Sequence, residues 1–269
     1  MFAETLAFVF GAIVGSFLNV CIHRMPQGES VVWPHSHCPR CKKKIPGYDN
    51  IPFLSFIFLK GRCRFCKERI SLRYPLVELI TATMFVVLFR RYALTYEFFI
   101  FVVFLCSLVI ATFVDIQHRI IPDEVSIGGM ILGLIFNAVK GINIKPLSYG
   151  FGPLFNSFLG MLTGAAIIYV TRFLFDTVYF KILKKPAVSG ETTCMGDGDI
   201  ILLAMIGAFL GWQAALLTFF IAPFLGIVAG VINLIVKKDH LIPYGPFLSL
   251  AALISLFWSD KILRFLFMR

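Results

Sequence analysis

The sequence predicts an all-α, polytopic membrane protein: about eight transmembrane helices, with one small cysteine-bearing cytoplasmic module between the first and the second. Three observations predict it. Of the 269 residues 58% are hydrophobic and 15% charged, with 30 Phe and a mean hydropathy of +0.85, too little polar surface for a soluble fold of this length. Several apolar runs approach the roughly 20 residues that a helix needs to cross the hydrocarbon core. Lys and Arg gather in one set of loops.

The candidate spans are residues 4–22, 76–90, 97–114, 124–139, 156–178, 199–212, 213–236 and 244–267. The first follows Glu4 with no basic segment before it and no small-residue cleavage site, so it is expected to stay on the chain as a helix. The sixth is short and closes on a Gly-Trp pair at 211–212, where a turn is expected. Assigning loops alternately to two sides puts seventeen basic residues on one: eleven between 23 and 75, with Arg119, Lys181, Lys184, Lys185, Lys237 and Lys238. The other side holds seven: Arg90, Arg91, Lys140, Lys145, Lys261, Arg264 and Arg269. The richer side is expected in the cytoplasm, with both termini outside. A net charge of +10 that sits beside membrane spans predicts a lipid bilayer as its surroundings and no nucleic-acid partner. No fixed-period repeat or low-complexity tract is read from the chain.

The loop 23–75 carries four of the seven cysteines, as Cys38-Pro-Arg-Cys41 and Cys63-Arg-Phe-Cys66. Two short-spaced pairs can present four thiolates tetrahedrally, the arrangement of a structural Zn2+ site. Disulfides are a competing reading, disfavoured in a reducing cytoplasm; iron–sulfur ligation is another that the ligands alone allow, with zinc favoured because no redox partner is indicated. A loop of this size with little apolar content would gain its folding free energy from the metal. His35 and His37 read as exposed loop histidines beside the four ligands, and Cys21, Cys106 and Cys194 as small apolar residues. The apolar stretch 51–59 is too short to span, and is expected either in the loop's own core or on the membrane surface.

Carboxylates next to spans are costly and tend to be functional. Glu78, Asp115, Asp123, Asp176, Asp197 and Asp199 all fall on the cytoplasmic side of a topology drawn from Lys and Arg alone. Asp115 and Asp199 can therefore meet at one membrane depth if the third and sixth spans pack together. Two such carboxylates do not both ionise comfortably, which leaves an acid beside a base, able to activate water against a peptide carbonyl. Gly196 and Gly198 suit a close backbone approach or a positive φ before Asp199. By spacing alone Asp199 reads equally as a helix cap. Asp123 reads as a cap and Asp197 as a solvated loop acid; the positions that would complete a calcium loop are apolar.

Five segments, residues 15–26, 37–56, 61–79, 115–125 and 196–212, resemble in this order the bacterial type IV prepilin peptidases: leader peptidases and N-methyltransferases of the A24 aspartic peptidase family, of the GxGD type. The resemblance implies a multi-pass enzyme of the bacterial inner membrane with its active site facing the cytoplasm. It would cut the short basic leader from type IV prepilins or pseudopilins after a glycine, then methylate the new N-terminal Phe with S-adenosylmethionine. It places the catalytic acids at Asp115 and Asp199, and agrees with a capping role for Asp123. Ile201 departs from the family's frequent Lys, which removes a positive charge near Asp199. Arg24, Asp49, Asn50 and Glu78 are the candidates for methyl transfer. The expected division is a first helix over 1–22, a zinc module of Cys38, Cys41, Cys63 and Cys66 over 23–75, and a transmembrane peptidase domain over 76–269. A peptidase without methylase activity is the alternative within the same family; a proton- or cation-coupled transporter is a rival reading, but would hold its acids near the bilayer midplane rather than at span ends. A second is a non-catalytic assembly protein.

Overall fold

A computed structural model describes residues 1–143, 152–183, 195–236 and 243–267. Cys194 and the basic residues Lys145, Lys184, Lys185, Lys237, Lys238 and Arg269, on which part of the charge count rests, lie outside these. Apart from turns and loops, most of them within residues 25–72, the described residues are helical, with β structure limited to two isolated bridges. The chain divides into two compact units, residues 1–110 and 111–269.

In the first unit α1 (Phe2–Arg24) and α3 (Arg73–Tyr92) lie antiparallel along their whole length. Arg90 reaches Glu4 at one end at 2.8 Å, and the Asn19 amide donates to the Tyr74 carbonyl at the other at 3.1 Å. Between these ends Gly11 and Gly15 let the backbones approach: a Cβ at Gly11 would lie 2.7 Å from Ala82 Cα, and one at Gly15 2.8 Å from Glu78 Cα. This is the small-residue seam that membrane helices use where burial of apolar surface gives no drive to associate. The short α2 (Leu54–Phe58) belongs to the module between the two helices. Phe98, near the start of α4 (Tyr96–His118), packs edge-on against Phe85 and Phe89 of α3.

In the second unit the last turns of α4 are followed by α5 (Asp123–Asn143), α6 (Pro153–Asp176), α7 (Asp197–Leu210), α8 (Trp212–Val236) and α9 (Gly245–Phe267). Helix α6 runs on into a π-helical turn over Thr177–Ile182. Helix α7 is the centre, buried without interruption from Leu202 to Phe209. Helix α6 lies antiparallel to it across a second glycine seam. A Cβ at Gly160 or Gly207 would run into the other's carbonyl, and one at Gly164 into that of Leu203. The Ser157 hydroxyl donates to the Ala208 carbonyl on the same seam. Helix α5 runs parallel to α7, and Asn137 donates its amide to the Ala208 carbonyl at 3.1 Å. Thr218 of α8 and Ser255 of α9 hydrogen-bond at 2.9 Å. Gly211, at φ 86°, separates α7 from α8 where the turn was expected. These directions bring the C-termini of α4 and α6 and the N-termini of α5, α7 and α9 to one end of the unit.

Among the described residues six helices, α1, α4, α5, α6, α8 and α9, are long and apolar enough to cross a membrane, against about eight expected. The two others have physical reasons to fall short. Helix α3 carries Arg73, Glu78, Arg90 and Arg91, and α7 has only 14 residues.

Candidate active site and metal centre

Asp115 lies three residues before the end of α4, with 6% of its surface exposed. Its Oδ2 accepts the backbone N–H of Gly245 at 2.8 Å. Gly245 opens α9, so the carboxylate takes up one of the N–H groups that a helix start leaves unpaired, at the positive end of the helix dipole. The position admits no side chain: a Cβ on Gly245 would stand 2.7 Å from the same oxygen. The chain then turns at Arg119, at φ 56°, and reaches α5 through Pro122.

Asp199 is the third residue of α7 and is 9% exposed. Its Oδ2 accepts the Gly196 N–H at 3.2 Å, so the capping reading holds as geometry and leaves the rest of the carboxylate for other work. Gly196 is extended at φ −74°, so it does not use the left-handed region. Gly198 supplies the close approach: a Cβ there would lie 3.0 Å from Ile121 Cβ. That contact seats the start of α7 against the segment following Asp115, and the charges of Asp115 and Asp199 repel one another. Tyr244, one residue before Gly245, feels the Asp199 charge, and its buried hydroxyl has no partner among the described residues. A carboxylate pair in such surroundings favours one proton between the two, an acid beside a base.

The other acids stand apart. Asp123 is exposed in the first turn of α5, where its charge suits the helix dipole. Asp197, 85% exposed, and Asp176 are both held by Arg172 of α6. Ile201 lies on α7 one half-turn past Asp199.

The four module cysteines converge, all Sγ atoms lying within 4.8 Å of one another, Cys38 and Cys66 at 3.8 Å. Zinc–sulfur bonds of about 2.3 Å in a tetrahedron put sulfurs roughly 3.8 Å apart, so the donor set fits Zn2+. Each pair sits on the same knuckle. The Cys38 N–H donates to Lys43 O and the Lys42 N–H to Cys38 O; twenty-five residues on, Cys63 pairs with Glu68 and Lys67 with Cys63 in the same pattern. Lys42 and Lys67 share φ 59°, and the bridges His37–Lys44 and Arg62–Arg69 close the two turns. The backbone N–H groups of Cys66 and then Phe65 bring the Cys63 thiol down to about 7. The structure thus corrects the reading of no repeat: Cys-x-x-Cys-Lys-x-basic-Ile recurs at 38–45 and 63–70, a signal present in the sequence but only eight residues long. His35 stacks edge-on against Trp33, and His37 makes no part of the sulfur cluster.

The four methyl-transfer candidates do not form one constellation. Arg24 is buried and donates to the carbonyls of Ser30, Pro34 and His35. Arg64 binds both Asp49 oxygens, at 2.7 and 2.6 Å, and holds that carboxyl below its ordinary pKa. Glu78, also buried, accepts the Phe53 N–H at 3.0 Å. Asn50 is exposed. With three of the four committed to protein partners, they offer no ready cradle for S-adenosylmethionine.

Residues 9–92 match the Bacterial Peptidase A24 N-terminal domain, and residues 102–231 the Type IV leader peptidase family. A prepilin leader peptidase/N-methyltransferase of Myxococcus xanthus is 38% identical over 228 residues, which cover 85% of this chain and 62% of the relative, so the match spans less than two thirds of that protein. Proteins of the same name from Aeromonas salmonicida and Pseudomonas putida are each 33% identical, across 97% and 96% of this chain and 92% and 91% of the relatives. No solved structure matches.

Proposed function

The chain belongs to the type IV leader peptidase family, and from that premise we propose that it removes the basic leader of type IV prepilins or pseudopilins after a glycine and methylates the new N-terminal Phe. The observation that supports this reading most is the seating of Asp115 and Asp199, 84 residues apart in sequence, at one end of the second unit. The prepilin's apolar helix lies in the bilayer and its leader stays at the cytoplasmic face of the inner membrane, so the scissile bond arrives where α4 ends and α7 begins.

In the proposed step Asp115 is the ionised partner, because the Gly245 N–H and the start of α9 support its charge. It takes a proton from water as the oxygen bonds to the carbonyl carbon. Asp199, protonated, donates to the carbonyl oxygen as the tetrahedral intermediate forms; when the C–N bond breaks it takes that proton back, and Asp115 passes the proton it took from water to the leaving nitrogen. Cys38, Cys41, Cys63 and Cys66 would hold zinc, which neutralises the thiolates and folds the module over 23–75 without entering the hydrolysis. S-adenosylmethionine is the proposed methyl donor; Arg24, Asp49, Asn50 and Glu78 act first on the shape of the first unit, and no step is assigned to them.

Purified protein incubated with S-adenosylmethionine and a prepilin carrying a Gly-Phe junction is expected to release the leader and give a mature pilin one methyl group heavier. An intact prepilin after long incubation with folded protein would refute the peptidase reading.

Gly245→Ala places a Cβ against Asp115 Oδ2. A displacement of about 1 Å at a catalytic group costs on the order of 10²-fold, so leader cleavage is expected to fall by that amount, chiefly in kcat. Full kcat in Gly245→Ala would contradict the assigned support of Asp115.

A further inference from the structure

We propose that the cysteine module carries a binding site for an anionic phospholipid: a cationic cavity for the headgroup beside an apolar helix face that enters the interface. The site rests on the membrane placement of the chain and not on the peptidase reading.

The module hangs between Arg24, the last residue of α1, and Arg73, the first of α3, and these helices are antiparallel partners. Both of its ends therefore leave the helix pair at the same end, beside one membrane surface. Within it, α2 turns Phe56 inward against Gly61. Leu54, Ile57 and Phe58, spaced along one helical face, point outward at 51%, 66% and 79% exposure. A helix this short cannot span; with its apolar side uncovered it suits the headgroup boundary.

Phe58 and Leu59 also wall a cavity of about 420 Å³ whose other lining residues are Lys60, Arg62, Cys63 and Lys67. Among the described residues the side chains of Lys60, Arg62 and Lys67 make no salt bridge. The module's three acids do not answer them, since Asp49 is taken by Arg64, Glu68 lies 3.9 Å from Arg40, and the Glu29 charge acts on His23. Three cations around a pocket with an apolar lip match a phosphodiester headgroup whose acyl chains continue past Phe58. Charge decides the occupant. A basic prepilin leader would be repelled by these side chains, as would the same face of a second copy, whereas an anionic leaflet supplies the opposite sign at the right height.

The test is hydrogen–deuterium exchange of residues 51–67 in the full-length protein, held in nanodiscs of phosphatidylcholine with or without phosphatidylglycerol. Exchange over 54–62 is expected to slow by about tenfold with phosphatidylglycerol and to recover in high salt. The triple variant Lys60→Gln/Arg62→Gln/Lys67→Gln should lose this protection while keeping its metal content, and Ile57→Ser/Phe58→Ser should lose it through the apolar face. Equal exchange in the two lipids overturns the proposal. So does protection produced by inorganic phosphate in phosphatidylcholine discs, which would mark a free-anion site, or protection that appears only when prepilin is added.

Discussion

Asp115→Asn and Asp199→Asn are each expected to lower leader cleavage by about 10³-fold or more, and the double variant to be no worse than either alone. One carboxylate is assigned the proton removal and the other the proton delivery, steps that each contribute roughly 10²–10⁴-fold. Residues that act as a unit show such non-additive losses, because removing one member disables the other. The substitutions keep size and most hydrogen-bonding capacity, so α7 can still begin at Asp197 and α9 at Gly245. Helical circular dichroism and the detergent melting temperature should stay close to wild type. Losses that multiply in the double variant would show that the two acids work separately.

The second large effect concerns the metal. Of residues 25–72 only Cys38 is buried, so the module has no apolar core to hold it. A structural zinc contributes on the order of 10 kcal/mol to folding of such a module, more than its few packing contacts can replace. Purified protein should therefore contain one zinc per chain, and Cys38→Ser or Cys63→Ser should lose it and expose residues 25–72 to rapid proteolysis. Because the acids belong to the second unit, the zinc-free protein should still cleave prepilin faster than the Asp variants do. Stoichiometric absence of zinc, or a metal-free module that resists protease, would contradict this.

Much of this was legible in the sequence, and the particular residues show why. The expectation that Asp115 and Asp199 meet, 84 positions apart, came from the alternation of basic loops, and the seating of the start of α7 against the segment after Asp115 agrees with it. The cysteine spacing carried its own geometry, and the four sulfurs converge as the two short pairs imply. Gly245 could not be found that way. Its part is played by a backbone N–H 130 residues from its acceptor, and a backbone group leaves no mark on composition or periodicity. The seams at Gly11 and Gly15 and at Gly160 and Gly164 were written as small residues four apart, yet their partners on α3 and α7 depend on packing. The methyl-transfer candidates show the reverse. The segments that carry the family resemblance offered Arg24, Asp49, Asn50 and Glu78 as polar or charged positions, and the structure gives Arg24, Asp49 and Glu78 each a partner within the first unit.

The central claim is that peptide hydrolysis belongs to Asp115 and Asp199 and is separate from methyl transfer. Intact-mass spectrometry of one mixture tests it: the Asp115→Asn/Asp199→Asn protein with S-adenosylmethionine, uncut prepilin and pre-cut pilin. The expected result is prepilin left whole while the pre-cut pilin gains a methyl group, which also shows the variant to be folded. Mature pilin formed from the uncut prepilin at the wild-type rate would contradict it.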